Sequence, residues 1–163
     1  MSQLADIYRD NRQGLFSLAL SITKNSSDAE DAIHDAFLRI SKKDLDQISD
    51  PTAYTFMSVR NASYDKCRRR KKLVSDPENI FAVQEAADSA PERRLLSAER
   101  NALLETALNQ LSESEKDIIV MKMYSNLTFE QIANVCNEPL PTISSRYRRS
   151  LKKLKSKMET LMV

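Results

Sequence analysis

The chain has 163 residues, 41% of them apolar and 29% charged, with a formal net charge of +2. That length allows one ordinary globular domain or two very small ones, and neither half is long enough for a large core of its own. A single glycine, five prolines and no tryptophan among runs of Leu, Ala, Glu, Lys and Arg argue against hairpin-built sheets and predict an all-α chain. The longest apolar runs, such as Ile118 to Met121, fall far short of the roughly 20 residues that a bilayer span needs. The opening MSQLADIYRDNRQ has no signal-peptide core, so a cytoplasmic protein without membrane insertion is expected. Cys67 and Cys136 lack a CxxC partner and His34 is the lone histidine, so no zinc set can be assembled; both thiols are expected to be structural and reduced, with no metal and no cofactor.

The small net charge conceals segregation. Residues 28–35 carry four acids and no base, residues 66–72 six bases in seven positions, residues 76–92 five acids and no base, and residues 141–157 seven bases and no acid. Two basic blocks separated by acidic ones predict two polyanion contacts and one contact with a basic protein.

In chain order, Leu4, Ile7, Tyr8, Leu15, Leu18, Ala19 and Ile22 recur at helical spacing and predict a first helix from Gln3 to about Ile22, with Gly14 marking a bend. Ser27-x-x-Glu30 reads as a capping box opening the helix SDAEDAIHDAFLRI. Asp50-Pro51 supplies an N-cap and first-turn proline for a third helix, in which Tyr54, Met57, Val59, Ala62 and Tyr64 are packing positions. Residues 74–91, acidic and without period, read as a flexible linker in which Ile80 and Phe81 could dock, so that residues 1–73 and 92–163 form separate cores. Beyond it, a helix runs from Pro91 to about Leu111. Ser112-x-x-Glu115 and Thr128-x-x-Gln131 are two further capping boxes, and Pro141 opens a last helix through Met158. The fold expected is two small helical domains, the first of three to four helices and the second of four.

Residues 127–154, LTFEQIANVCNEPLPTISSRYRRSLKKL, have the anatomy of a helix-turn-helix, with Asn137 where the turn needs a left-handed residue. On the last helix Ile143, Tyr147, Ser150, Leu154, Met158 and Leu161 share one face, and Thr142, Ser145, Arg149 and Lys152 point the other way. A core stripe opposite a basic, hydroxyl-rich stripe suits a helix in the major groove.

This stretch resembles region 4 of the extracytoplasmic-function (ECF) sigma factors, group 4 of the sigma-70 family, whose pattern runs L-S-E…VFLL…G-L-S-x-x-E-I-A…G-x-P-x-G-T-V-x-S-R-x-x-R-A-x-x-x-L. Asn137, Glu138 and Pro141 depart from that pattern. IYRDNRQGLFSLALSITKNSSDAEDAIHDAFLRI and DPTAYTFMSVRNASYDKCRRRKK resemble region 2. The resemblance implies a non-enzymatic sigma factor that binds core RNA polymerase and directs promoter recognition and transcription initiation, with promoter DNA and an anti-sigma factor as further partners. It implies that Thr142, Ser144, Ser145, Arg146 and Arg149 meet the minus-thirty-five element, with Arg148, Lys152 and Lys153 near phosphates. Tyr54, Arg60, Asn61, Asp65, Arg68 and Arg69 would engage the melted minus-ten element. Asp28, Asp31 and Asp35, with His34 and Leu38 beside them, would form the dock for polymerase, His34 standing where Gln is usual. Two other readings stand beside this one: a stand-alone helix-turn-helix regulator that dimerises on duplex DNA, and a sigma-mimicking adaptor that sequesters an anti-sigma factor. No nucleophile paired with a base and no phosphate-cradling Gly loop is visible, so no catalysis is expected.

Overall fold

Four helix starts in this chain, those of α2, α3, α5 and α6, are fixed by side chains that accept the orphan amides of the first turn, as the computed structural model shows, which describes residues 2–74 and 98–162. Its helices are α1 (Ser2–Thr23), α2 (Ser26–Ile40), α3 (Pro51–Val74), α4 (Ala98–Asn109), α5 (Glu113–Met123), α6 (Phe129–Cys136) and α7 (Leu140–Leu161), with a 3-10 turn at Leu45–Gln47. The capping boxes at Ser112 and Thr128 are both present, with each side chain accepting from the N3 amide and the N3 side chain returning to the cap amide. Asp50 caps α3 by accepting from the Ala53 amide at 3.0 Å.

The start of α2 differs from expectation. Its cap is Asn25, not Ser27, and the Asn25 side chain accepts from Asp28 N at 2.9 Å. The reason lies one residue upstream, where Lys24 takes a left-handed φ of 58° and turns the chain sharply out of α1, leaving Asn25 extended in the cap geometry. Pro141 likewise lies one residue inside α7, because Pro139 holds the N-cap. Gly14 does not interrupt α1, which is helical from Ser2 to Thr23.

In the first half α1, α2 and α3 pack mutually around Leu15, Leu18, Ala32, Ala36, Phe56 and Val59. Phe56, fully buried, was not among the packing positions expected for α3. In the second half α7 packs on α4, α5 and α6. The expected separation of cores is not what the structure shows. Buried side chains of both halves form one continuous cluster, running from Leu15 and Phe56 through Ile118 and Met121 to Ile132 and Ile143. The junction is made by α1 against α5 and α3 against α6. Each fully buried aliphatic or aromatic side chain contributes about 1.5–3 kcal/mol, so the junction shares the driving force that folds each half. A smaller cluster, Ala107, Leu111, Ile119 and Leu154, seats α4 on the far side. The linker and its Ile80 and Phe81, and the first turns expected from Pro91, lie outside the described residues.

Candidate nucleic-acid and protein-docking interfaces

On α7 the apolar stripe holds: Ile143, Ser150 and Leu154 are buried, and Tyr147, Met158 and Leu161 pack against the clusters. The opposite stripe carries exposed Arg149 and Lys152 with half-buried Thr142 and Ser145, and Arg148 is exposed at its edge. Among the described residues no carboxylate lies within ion-pair reach of Arg148, Arg149 or Lys152. The turn before α7 is set by Asn137, left-handed at φ 54° and ψ 48°, which a short polar side chain tolerates at low cost. Ser144 is half-buried on the flank of the stripe. Arg146 and Lys153 differ from the rest of the set. Arg146 reaches Ser114 Oγ at 3.2 Å and Glu138 at 3.6 Å, and Lys153 reaches Glu115 at 2.9 Å. Both therefore tie α7 to its own domain. Glu115 is held down to about 2 by the Lys153 hydrogen bond and the Ser112 backbone amide.

On α3, Tyr54, Asn61, Asp65 and Arg68 follow spacings of seven, four and three, which put them on one face. Asn61 and Arg68 are exposed, Tyr54 and Asp65 half-buried, and Arg68 pairs with Asp65. Arg69 is exposed beside them. Arg60 is not part of this group. With Tyr64 it lies on the adjacent face, turned toward the second half of the molecule. Its Nε donates to Asp117 Oδ2 at 3.0 Å, and the Tyr64 hydroxyl donates to the same oxygen at 2.5 Å.

The acidic face of α2 is divided. Arg70 donates to Asp28 at 2.6 Å and Lys66 pairs with Asp35 at 3.5 Å, both reaching across from α3. Asp31, His34 and Leu38 remain exposed, Leu38 at 52%. Two of the three expected carboxylates thus hold α2 to α3. A groove of about 1540 Å³ runs beside this face, between the start of α1, α2 and the 3-10 turn, lined by Tyr8, Glu30, His34 and Phe37 among others.

Asp117, 1% exposed, is the buried carboxylate at the junction that sequence reasoning passed over. Burial raises its carboxyl above the ordinary range, and Tyr64 and Arg60 work against that shift. Burial and the Asp117 charge push the Tyr64 hydroxyl far above its usual value. A signal was present: Val120 and Met121, three and four residues on, are both apolar and buried, so Asp117 shares a helix face with core residues. Cys67 and Cys136 are free and half-buried, and burial raises both thiols. Among the described residues, no group of three or more His, Cys, Asp or Glu could hold a metal ion, and no helix is long and apolar enough to cross a membrane.

Comparison with known proteins fits this layout. The Sigma-70 region 2 model matches residues 7–73, and the Sigma-70, region 4 model matches residues 107–156. The RNA polymerase sigma factor SigV of Bacillus subtilis is 24% identical over 88% of this chain and 83% of the relative. The ECF RNA polymerase sigma factor EcfG of Rhodopseudomonas palustris is 25% identical over 86% and 76%. Among solved structures, the sigma factor RpoE from Bartonella quintana, crystallised with the anti-sigma factor NepR, covers 97% of this chain and 95% of its own, with a TM-score of 0.72 and 23% identity.

Proposed function

This chain belongs to the ECF sigma factors of the sigma-70 family, DNA-binding subunits that direct transcription initiation by RNA polymerase, and from that premise we propose how its own residues divide the work. Residues 1–73 form the unit that holds polymerase and the melted minus-ten strand, 74–91 the connection, and 92–163 the unit that reads the minus-thirty-five duplex. The reading is carried by α7, which turns Arg149 and Lys152, without an ion pair among the described residues, with Thr142 and Ser145, away from a packed apolar stripe. Arg149 reads a base edge in the major groove, and Arg148 and Lys152 sit near phosphates. Asn61, Arg68 and Arg69, with Tyr54 on the same exposed side of α3, take the single strand.

On α2, Asp31, His34 and Leu38 form the accessible dock for a basic surface of polymerase. An anti-sigma factor covers the same faces when the chain is held inactive, and the chain acts in the cytoplasm, without catalysis of its own. Against a stand-alone regulator stands the exposed Asp31, His34 and Leu38 patch, which a self-sufficient DNA binder does not need.

The test is reconstitution with core RNA polymerase and genomic DNA. Wild type should start specific transcripts. Asp31→Arg should lose polymerase binding while keeping its melting temperature, since Asp31 is exposed and like charges brought together at an interface cost several kcal/mol. Asp35 is unsuitable for this test because its reversal would also break the Lys66 pair. Arg149→Ala should keep polymerase binding and lose about 1–3 kcal/mol on the cognate upstream element, with scrambled elements affected little. Wild-type polymerase affinity for Asp31→Arg would remove the dock from α2.

A further inference from the structure

A hollow of about 580 Å³ is walled by the end of α1, the C-terminal half of α3 and the first turn of α5. None of the residues assigned above to polymerase or promoter DNA lines it. Four cations do, Lys24, Arg70, Lys71 and Lys116, against two carboxylates, Glu113 and Asp117. Arg70 is already held by Asp28, and Asp117 by Arg60 and Tyr64. Three lysines are left facing Glu113, none of them in an ion pair among the described residues. Three ammonium groups less one carboxylate leave a surplus of two positive charges.

The lysines come from three separate elements. Lys24 is the left-handed residue that leaves α1, Lys71 stands in the last turn of α3, and Lys116 lies early in α5. Lys24 and Lys71 are exposed, whereas Lys116 is half-buried and donates to Asn109 Oδ1 at 3.2 Å. Burial, and after it the Lys24 charge, hold the Lys116 ammonium below its ordinary range. Like charges brought together in a concave, partly dry space repel one another and focus a positive potential there. The lysines are not placed to satisfy the carbonyl end of α1, because donors of the chain already meet it. Thr23 Oγ1 donates to the Ala19 carbonyl, the Lys24 amide to that of Leu20, and Cys67 Sγ to that of Ile22.

We propose that this hollow is a binding site for a small diphosphate-bearing anion, held by Lys24, Lys71 and Lys116. A diphosphate matches the charge surplus, and lysine binds phosphate as a point charge from any direction its stem allows. The volume falls within the range of about 300–1,000 Å³ usual for small-molecule sites. Ile22, Tyr64 and Leu111 give the hollow an apolar wall, on which the group that carries the diphosphate can rest.

Cys67 lines the hollow and Cys136, also half-buried, does not, so the two thiols report on the site and on the rest of the chain. The full-length chain alone should be alkylated with iodoacetamide near physiological ionic strength, and each cysteine followed by peptide mass spectrometry. Saturating pyrophosphate should slow Cys67 by at least about tenfold and leave Cys136 within about twofold. Calorimetry should show one pyrophosphate per chain. Lys116→Gln, which keeps most of the stem and loses the charge, should weaken binding by at least about tenfold, and Lys116→Arg should restore it to within about threefold. If Lys116→Gln melts below wild type, the exposed Lys24→Gln serves in its place, with a loss of at least about fivefold. Lys152→Gln on α7 should bind as wild type does. ADP carries the same group on a nucleoside: protection by both probes assigns the site to the diphosphate of a larger metabolite, and protection by pyrophosphate alone assigns it to the free anion. No protection by either probe would overturn the site. So would equal protection of both thiols, or equal weakening by Lys152→Gln and Lys116→Gln, since either means diffuse attraction to the chain's cations. Neither polymerase nor promoter DNA enters the measurement, so its outcome is independent of the function proposed above.

Discussion

Helices α3 and α7 both carry runs of cations, and they spend that charge in opposite ways. On α3, Arg60, Lys66, Arg68 and Arg70 each meet a carboxylate: Asp117, Asp35, Asp65 and Asp28. On α7 only Arg146 and Lys153 do so among the described residues, and the outer stripe keeps its charge free. One basic helix is largely framework with a thin exposed edge, and the other carries a free basic stripe over a packed back. A charge run in a sequence therefore announces a polyanion contact only after its internal partners have been subtracted, and all of those partners but Asp65 lie far along the chain. Asp28 is 42 residues from Arg70, and Asp117 is 57 from Arg60.

The sharpest way to break this contrast is to remove the deepest partner. Asp117→Ala leaves the Arg60 guanidinium and the Tyr64 hydroxyl at the junction without their acceptor. Breaking a buried pair costs about 3–5 kcal/mol. The Arg60 side chain is 23% exposed, and the water that reaches it places the expected loss at the lower end, about 3 kcal/mol. Urea unfolding should show that loss for Asp117→Ala, whereas Arg149→Ala should change stability by no more than about 0.5 kcal/mol. Equal losses for the two variants would mean that the cations of α3 are no more structural than those of α7.

A smaller effect tests whether Lys153 belongs with the framework. Glu115 titrates near 2 in the folded chain against 4.5 unperturbed, held by Lys153 and the Ser112 amide. Its depressed value means that the ionised form favours folding. The contribution is complete above about pH 4.5 and drains away as pH falls toward about 2. Glu115→Gln keeps the capping geometry and loses the charge, so it should be less stable than wild type by up to about 1 kcal/mol at neutral pH. Thermal melts of both proteins down to about pH 3 should show that gap narrowing. A constant gap would mean that Glu115 is not held by charge and that Lys153 is available to phosphate.

Much of this architecture was legible in local sequence, because caps, turns and helical stripes are decided within four residues. Ser112, Thr128, Asp50 and Asn137 all do what their positions predict. The displaced cap of α2, Asn25, was hidden by a lysine in a left-handed conformation that is far commoner for glycine or asparagine. The candidate sites were legible as faces but not as free surfaces. Nothing in the spacing of Asp28, Asp35 or Arg60 says that a partner on another helix has claimed it. Gly14 was visible as an exception in a helical run, yet its reason, a serine 111 residues away, exists only in the folded chain.

The last test separates the two faces of α7 at their point of closest approach in sequence. Arg149 and Ser150 are neighbours, one exposed on the outer stripe and one at 0% exposure on the core stripe. The Ser150 hydroxyl has no hydrogen-bond partner among the described residues, and a buried hydroxyl without a partner costs about 1–3 kcal/mol. The family pattern places alanine at this position, and alanine is also the stronger helix former. Ser150→Ala removes the unpaired group at the expense of a void smaller than a methyl, so the chain should gain about 0.5–1 kcal/mol. In a chain of this size that corresponds to a melting temperature higher by about 1–4 °C. Affinity for the upstream element should not change, because the side chain is buried on the core stripe. A lower melting temperature would show that the hydroxyl is satisfied in solution, and a changed affinity would show that the core and reading faces of α7 are coupled through the helix.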